Sequence, residues 1–222
     1  MSKKQTEPIQ EPIEAQEEKR TLGQWINDNA NLLEWIALII VIIALACVLV
    51  NNYWLRPKHT EASNENAKSV VYFQAGDWEK ALHGDDAECI GFEQTAKDYS
   101  MLQEGELAAL YAGICYYQLG DYEQAAHYLS KFDASDVNID PAAHQLLGDA
   151  YVQMGDYAKA INAYKHAIAS GNEVIAPMSL KKMGLVELER GNKAAARKAF
   201  EQIKRDYPAS TEAQDIDRYI AQ

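Results

Sequence analysis

"LGDYEQAAHYL" at 119–129 and "MGDYAKAINAY" at 154–164 are near copies of one phrase, written 35 residues apart. "RGNKAAARKAF" at 190–200 and "AGDWEKALHGD" at 75–85 share the same frame. Aligned on Gly76, Gly120, Gly155 and Gly191, the spacings are 44, 35 and 36, so three units are regular and the first carries an insertion. A period in the mid-thirties marks stacked helical hairpins rather than one central sheet. Each glycine stands where one apolar helical pattern stops, and an Asp or Asn follows it. Glycine can take the left-handed conformation that ends a helix, and Asp or Asn can cap the next, so the phrase predicts a helix-turn-helix corner.

Other residues recur at fixed offsets from the corner. Seven positions before it stand Ser69, Gly113, Gly148 and Gly184; four before it stand Tyr72, Tyr116 and Tyr151, with Glu187 breaking the rule. Five positions after it comes Ala81, Ala125, Ala160 or Ala196, and the regular units add Leu129, Tyr164 or Phe200 four residues later. The expected packing sets the small residue of the first helix against the alanine of the second, with the tyrosine over the pair. With Pro208 ending the third regular unit, this set resembles the tetratricopeptide repeat. The resemblance implies an all-α chain of tandem hairpins, an α-solenoid. Its expected parts are a degenerate unit at 62–105 with Asp85 at the bulky position, units at 106–140, 141–176 and 177–209, and a capping helix at 210–222.

Two segments precede the repeats. Residues 1–31 open with a Glu-, Gln- and Lys-rich stretch almost without bulky apolar residues, which reads as a disordered tail. Residues 32–55, "LLEWIALIIVIIALACVLVNNYWL", read as a single transmembrane helix, followed by a linker at 56–61. Trp35, Tyr53 and Trp54 resemble interfacial anchors, with Arg56 and Lys58 in reach of headgroups. The long acidic region ahead of the run, and its continuation past Cys47, fit an uncleaved signal anchor rather than a cleaved signal peptide.

The net charge of −12 is unevenly spread. Residues 60–156 hold 4 Lys/Arg against 18 Asp/Glu, and residues 157–222 hold 11 against 8. Such an acidic half repels a phosphate backbone, so no nucleic-acid partner is expected. Cys47, Cys89 and Cys115 form neither a metal spacing nor a disulfide framework, and the five histidines include no i, i+4 pair. Nucleophile elbow, phosphate loop and dinucleotide fingerprint are all missing, so neither an enzyme nor a cofactor is expected.

Repeats of this type offer a concave surface built from their first helices. The resemblance implies that positions 2, 5, 9, 12 and 13 of each unit line it. These are Leu107, Leu110, Ile114, Tyr117 and Gln118; then Ala142, Gln145, Asp149, Val152 and Gln153; then Met178, Lys181, Leu185, Leu188 and Glu189. An apolar lining with a polar middle suits a helix or an extended hydrophobic segment of a partner protein. Leu110 and Ile114 stand where a clamp for an acidic C-terminus needs lysine or asparagine. The groove is either open or covered, by the first unit's helices or by a second copy in a homo-oligomer.

Tail, span and repeats together, with "LHGDDAECIGFEQTAKDYS" at 82–100, resemble the YfgM family of bacterial single-pass proteins. That resemblance implies the inner membrane, repeats in the periplasm, and an ancillary place at the Sec translocon beside a chaperone or exported client. A self-associating assembly factor of an envelope complex is the alternative.

Overall fold

The computed structural model describes residue 25 and residues 29–85, 88–132 and 136–220. Most of the expected tail, and the end of the expected capping helix at 221–222, lie outside the described residues. No β-strand occurs among the described residues. Two units divide the chain, residues 1–53 and 54–222.

The first unit holds α1 (Ala30–Val50), which begins two residues before the expected span. Its 21 residues reach about 31 Å at 1.5 Å each, the thickness of a bilayer's hydrocarbon core. No residue of α1 is buried, and its most apolar stretch is wholly uncovered, so it is long and apolar enough to cross a membrane. Asn51–Leu55 continue as a π-helical turn. Residues 56–61, expected as a linker, instead form the first turns of α2 (Arg56–Gln74).

The second unit is a row of antiparallel hairpins. α2 pairs with α3 (Trp78–His83) and α4 (Gly91–Asp98); α5 (Gln103–Leu119) with α6 (Tyr122–Leu129); α7 (Ile139–Gln153) with α8 (Tyr157–Ala169); α9 (Ile175–Glu189) with α10 (Lys193–Asp206). Two short helices, α11 (Thr211–Asp215) and α12 (Asp217–Ile220), stand where one capping helix was expected. Ile216 between them is fully buried against the cluster of Leu180, Phe200 and Ile203, so they still close the last hairpin.

The corners follow the sequence reading. Gly76, Gly120, Gly155 and Gly191 have φ of 75°, 84°, 73° and 75°. Asp121 accepts a hydrogen bond from the Gln124 amide at 3.1 Å, Asp156 from Lys159 at 3.1 Å and Asn192 from Ala195 at 3.3 Å, capping the second helices. α7 and α9 start two residues ahead of Pro141 and Pro177. Their starts are set by Asp136, accepting from the amides of Asn138 and Ile139 at 2.8 Å, and by Asn172, accepting from Val174 and Ile175 at 2.9 Å.

In the regular hairpins the closest neighbour of the small residue is the bulky residue of the second helix. A Cβ at Gly113 would lie 2.7 Å from Leu129 Cγ, one at Gly148 2.5 Å from Tyr164 Cε1, and one at Gly184 2.3 Å from Phe200 Cε1. The bulky residue of the second helix thus fills the gap left by the missing side chain. Ala81, Ala125, Ala160 and Ala196 are fully buried beside these contacts. The first hairpin departs from this rule because its second helix breaks at Gly84 and resumes at Gly91. Here Ser69 Oγ meets Cys89 Sγ at 3.3 Å, and Phe92 on α4, fully buried, supplies the bulk that Asp85 lacks. Asp85 instead accepts from the Tyr72 hydroxyl at 2.5 Å and from the amides of Glu88 and Cys89, tying the inserted loop to α2.

Burial has a consequence for pH. Cys115, with no exposed surface, has its thiol pushed up to about 12, because the thiolate would have to form inside the core. The unfolded thiol titrates near pH 8.5. The contribution of this group to stability is therefore fully present below about pH 8.5 and lost as pH rises toward 12. Cys115→Ala should unfold with a shallower alkaline loss of stability than the parent over pH 9–11, read by urea titration at a series of pH values. Equal slopes would contradict the assignment.

Candidate protein-binding groove

The first helices α5 and α7 run side by side and leave a trough of about 440 Å³ between them. α5 contributes Leu107, Leu110, Tyr111 and Ile114, and α7 contributes Ile139, Ala142, Ala143 and Leu146, with Asn138 at the end. The lining is almost wholly apolar because both helices carry short, aliphatic or aromatic residues at the facing positions.

This trough gathers Leu107, Ile114 and Ala142 from the residues implied by sequence, with Leu110 at its floor. Leu110 is 7% exposed and belongs to the core with Ala125, Leu129 and Leu147, so it supports the groove rather than facing a partner. Gln145 was also expected on the open face, yet it is buried and donates to Ser179 Oγ at 3.1 Å, bonding α7 to α9. Asp149 is engaged as well: it accepts from the Tyr164 hydroxyl at 2.7 Å and from Lys182 Nζ at 2.5 Å. Burial, and then the bond to Asp149, raises the Tyr164 phenol far above the usual tyrosine range. Lys181 pairs with Asp215 at 3.2 Å. The polar middle is therefore spent on joining neighbouring hairpins.

The remaining candidates scatter. Tyr117 packs edge-on to Tyr122 with ring centres 5.4 Å apart, and Val152 and Leu188 pack against separate core clusters. Gln118, Gln153, Leu185 and Glu189 are exposed. Met178 lines a different cleft with Val174 and Tyr207. Missed from sequence were Tyr111 and Leu146, which share position 6 of their units. That position holds Lys182 in the next unit, so a recurrent apolar residue there was the available signal. Among the described residues no cluster of His, Cys, Asp or Glu is arranged to hold a metal ion.

Comparison with known proteins agrees with this geometry. The tetratricopeptide repeat family profile matches residues 146–211, and the profile of anaphase-promoting complex, cyclosome, subunit 3 matches residues 94–167. No curated protein matches by sequence. Among solved structures, MamA protein is similar over 72% of this chain and 88% of its own, at 19% identity and a TM-score of 0.56. PilW, a type IV pilus biogenesis factor, is similar over 70% of this chain and 66% of its own, at 20% identity and a TM-score of 0.54. A tetratricopeptide repeat protein from Parabacteroides merdae covers 72% of this chain and 59% of its own, at 15% identity and a TM-score of 0.59. At these identities the likeness speaks for the fold, and with the corner geometry it shows that the described repeats have the tetratricopeptide fold.

Proposed function

We propose that the chain is a membrane-anchored protein-interaction module whose α5–α7 trough holds an apolar segment of a partner protein. The observation carrying this reading is the trough itself, about 440 Å³ lined by aliphatic and aromatic side chains of α5 and α7. Residues 101–153 hold one Lys/Arg against eight Asp/Glu, which favours partners with basic flanks over acidic ones. The resemblance to YfgM proteins supports a bacterial inner-membrane location, periplasmic repeats, and an exported client, a chaperone or the Sec translocon as the partner.

Replacing Leu107 and Ile114 by lysine tests the groove, since both are only half-buried and can change without opening the core. Photo-cross-linking from Tyr111 in cells should yield a discrete partner adduct, which the double variant should lose with unchanged helical content. Asn162→Lys, on exposed α8 surface, should keep it. Self-adducts alone would point to an assembly factor, and adducts unchanged in the double variant would remove the groove from the account. Orientation is tested through Ser63→Cys. Cys89 and Cys115 are buried, so this exposed position is the reactive thiol of the repeat unit. An impermeant maleimide should label it once the outer membrane alone is opened; labelling only after inner-membrane breach would place the repeats in the cytoplasm.

A further inference from the structure

In the first two regular hairpins, the residue four before the corner reaches between its own second helix and that of the preceding hairpin. Tyr116 does so by stacking on Tyr128 of α6, ring centres 5.4 Å apart, and meeting His83 of α3 edge-on at 6.3 Å. Tyr151 packs against the clusters containing Ala126 and Leu129 of α6 and Ala160 and Tyr164 of α8, with Lys159 Nζ 5.3 Å from its ring. In the last hairpin the tyrosine is Glu187 and the counterpart of Lys159 is Ala195. Both the ring and its covering ammonium are absent, and a cleft of about 430 Å³ opens between α8 and α10.

We propose that this cleft receives a tyrosine side chain from a partner protein, presented by a segment with acidic residues beside it. The floor of Ile168, Leu180, Met183 and Ala199 is apolar, and Met183 can adjust to a ring. Lys165 and Lys198 line the mouth, both exposed and neither in an ion pair among the described residues. Those lysines favour a carboxylate on either side of the incoming ring. Glu187 is largely buried at the cleft, its Oε2 accepting from Asn192 Nδ2 at 3.1 Å and Arg190 Nη1 at 3.4 Å. A carboxylate so placed can also accept from a phenol, the pairing this fold already makes between Tyr164 and Asp149 at 2.7 Å and Tyr72 and Asp85 at 2.5 Å. The site is independent of the α5–α7 trough, since it lies between second helices and shares no residue with it.

The test uses the full chain in detergent micelles with ¹³C-methyl methionine, the Met183 signal being identified through Met183→Leu. The probe is the peptide acetyl-Glu-Glu-Tyr-Glu-Glu-amide. It should move the Met183 methyl upfield in a saturable way by ring current, whereas the same peptide with alanine for tyrosine should not. A version with lysine for every glutamate should bind about tenfold or more weakly. Glu187→Tyr fills the cleft from within, as the other hairpins do, and should abolish the shift without lowering the melting temperature. Lys165→Glu with Lys198→Glu, both exposed, should reverse the preference between the charged peptides. Absence of a saturable shift in the parent, an equal shift from the alanine peptide, or a shift surviving in a folded Glu187→Tyr protein would overturn the proposal. Should Glu187→Tyr fail to fold, an unaltered charge preference in the lysine variant overturns it instead.

Discussion

Phe200→Ala is expected to destabilise the repeat unit by about 3–5 kcal/mol, the range for deleting a fully buried aromatic ring. Phe200 has no exposed surface, and its ring occupies the gap left by Gly184, with a Cβ there coming within 2.3 Å of Cε1. It also meets the closing helices, through Ile216 in the same core cluster and Tyr219 at a ring separation of 5.4 Å. The glycine side of the gap cannot collapse, because the backbone of α9 is already close. In a stacked array, loss at one end propagates mainly to neighbours. Hydrogen exchange should therefore show amides of α9–α12 losing protection first, with those of α5–α8 reduced less. Equal protection in parent and variant would contradict this account of the last hairpin.

Gly84→Ala is expected to cost about 2–5 kcal/mol, combining backbone strain with overlap against fixed atoms. Gly84 has φ 85° and ψ −175°, a conformation open essentially to glycine, and a Cβ there would lie 2.0 Å from the Cys89 carbonyl oxygen. That oxygen accepts from the Asp85 amide at 3.0 Å and closes the inserted loop, so it cannot retreat without freeing α4 and Phe92 from the core. Gly120→Ala is the comparison. Its φ is 84° but nothing beyond its own chain neighbours lies within 4 Å of the added Cβ, so only the left-handed backbone is penalised, by about 1–2 kcal/mol. Denaturant unfolding of both, followed by Trp78 fluorescence, should show the larger loss in Gly84→Ala. Similar losses would mean the loop yields more easily than its packing implies.

The same contrast separates what was legible in sequence from what was not. The corners were readable because left-handed glycine followed by a capping Asp or Asn is a local requirement, set by backbone sterics and one short hydrogen bond. The hairpins followed from those corners, and the apolar run of α1 from its composition. The side-chain partners were not readable. The closest neighbours of Gly113, Gly148 and Gly184 are the bulky Leu129, Tyr164 and Phe200, because which residue of one helix comes nearest to which of another depends on how the two pack together. The groove was legible in part for the same reason: Leu107, Ile114 and Ala142 line the trough, whereas Gln145 and Asp149 are drawn into bonds with Ser179 and Lys182 of the next hairpin. Glu187 stood out in the sequence as the one missing tyrosine, but only the placement of α8 against α10 turns that exception into a cleft. Periodicity and capping are properties of consecutive residues, so the chain alone determined its repeats. Burial and cavity shape depend on residues 16 to about 35 positions apart, within one hairpin or between neighbours, so they were decided only when the helices packed and the hairpins stacked.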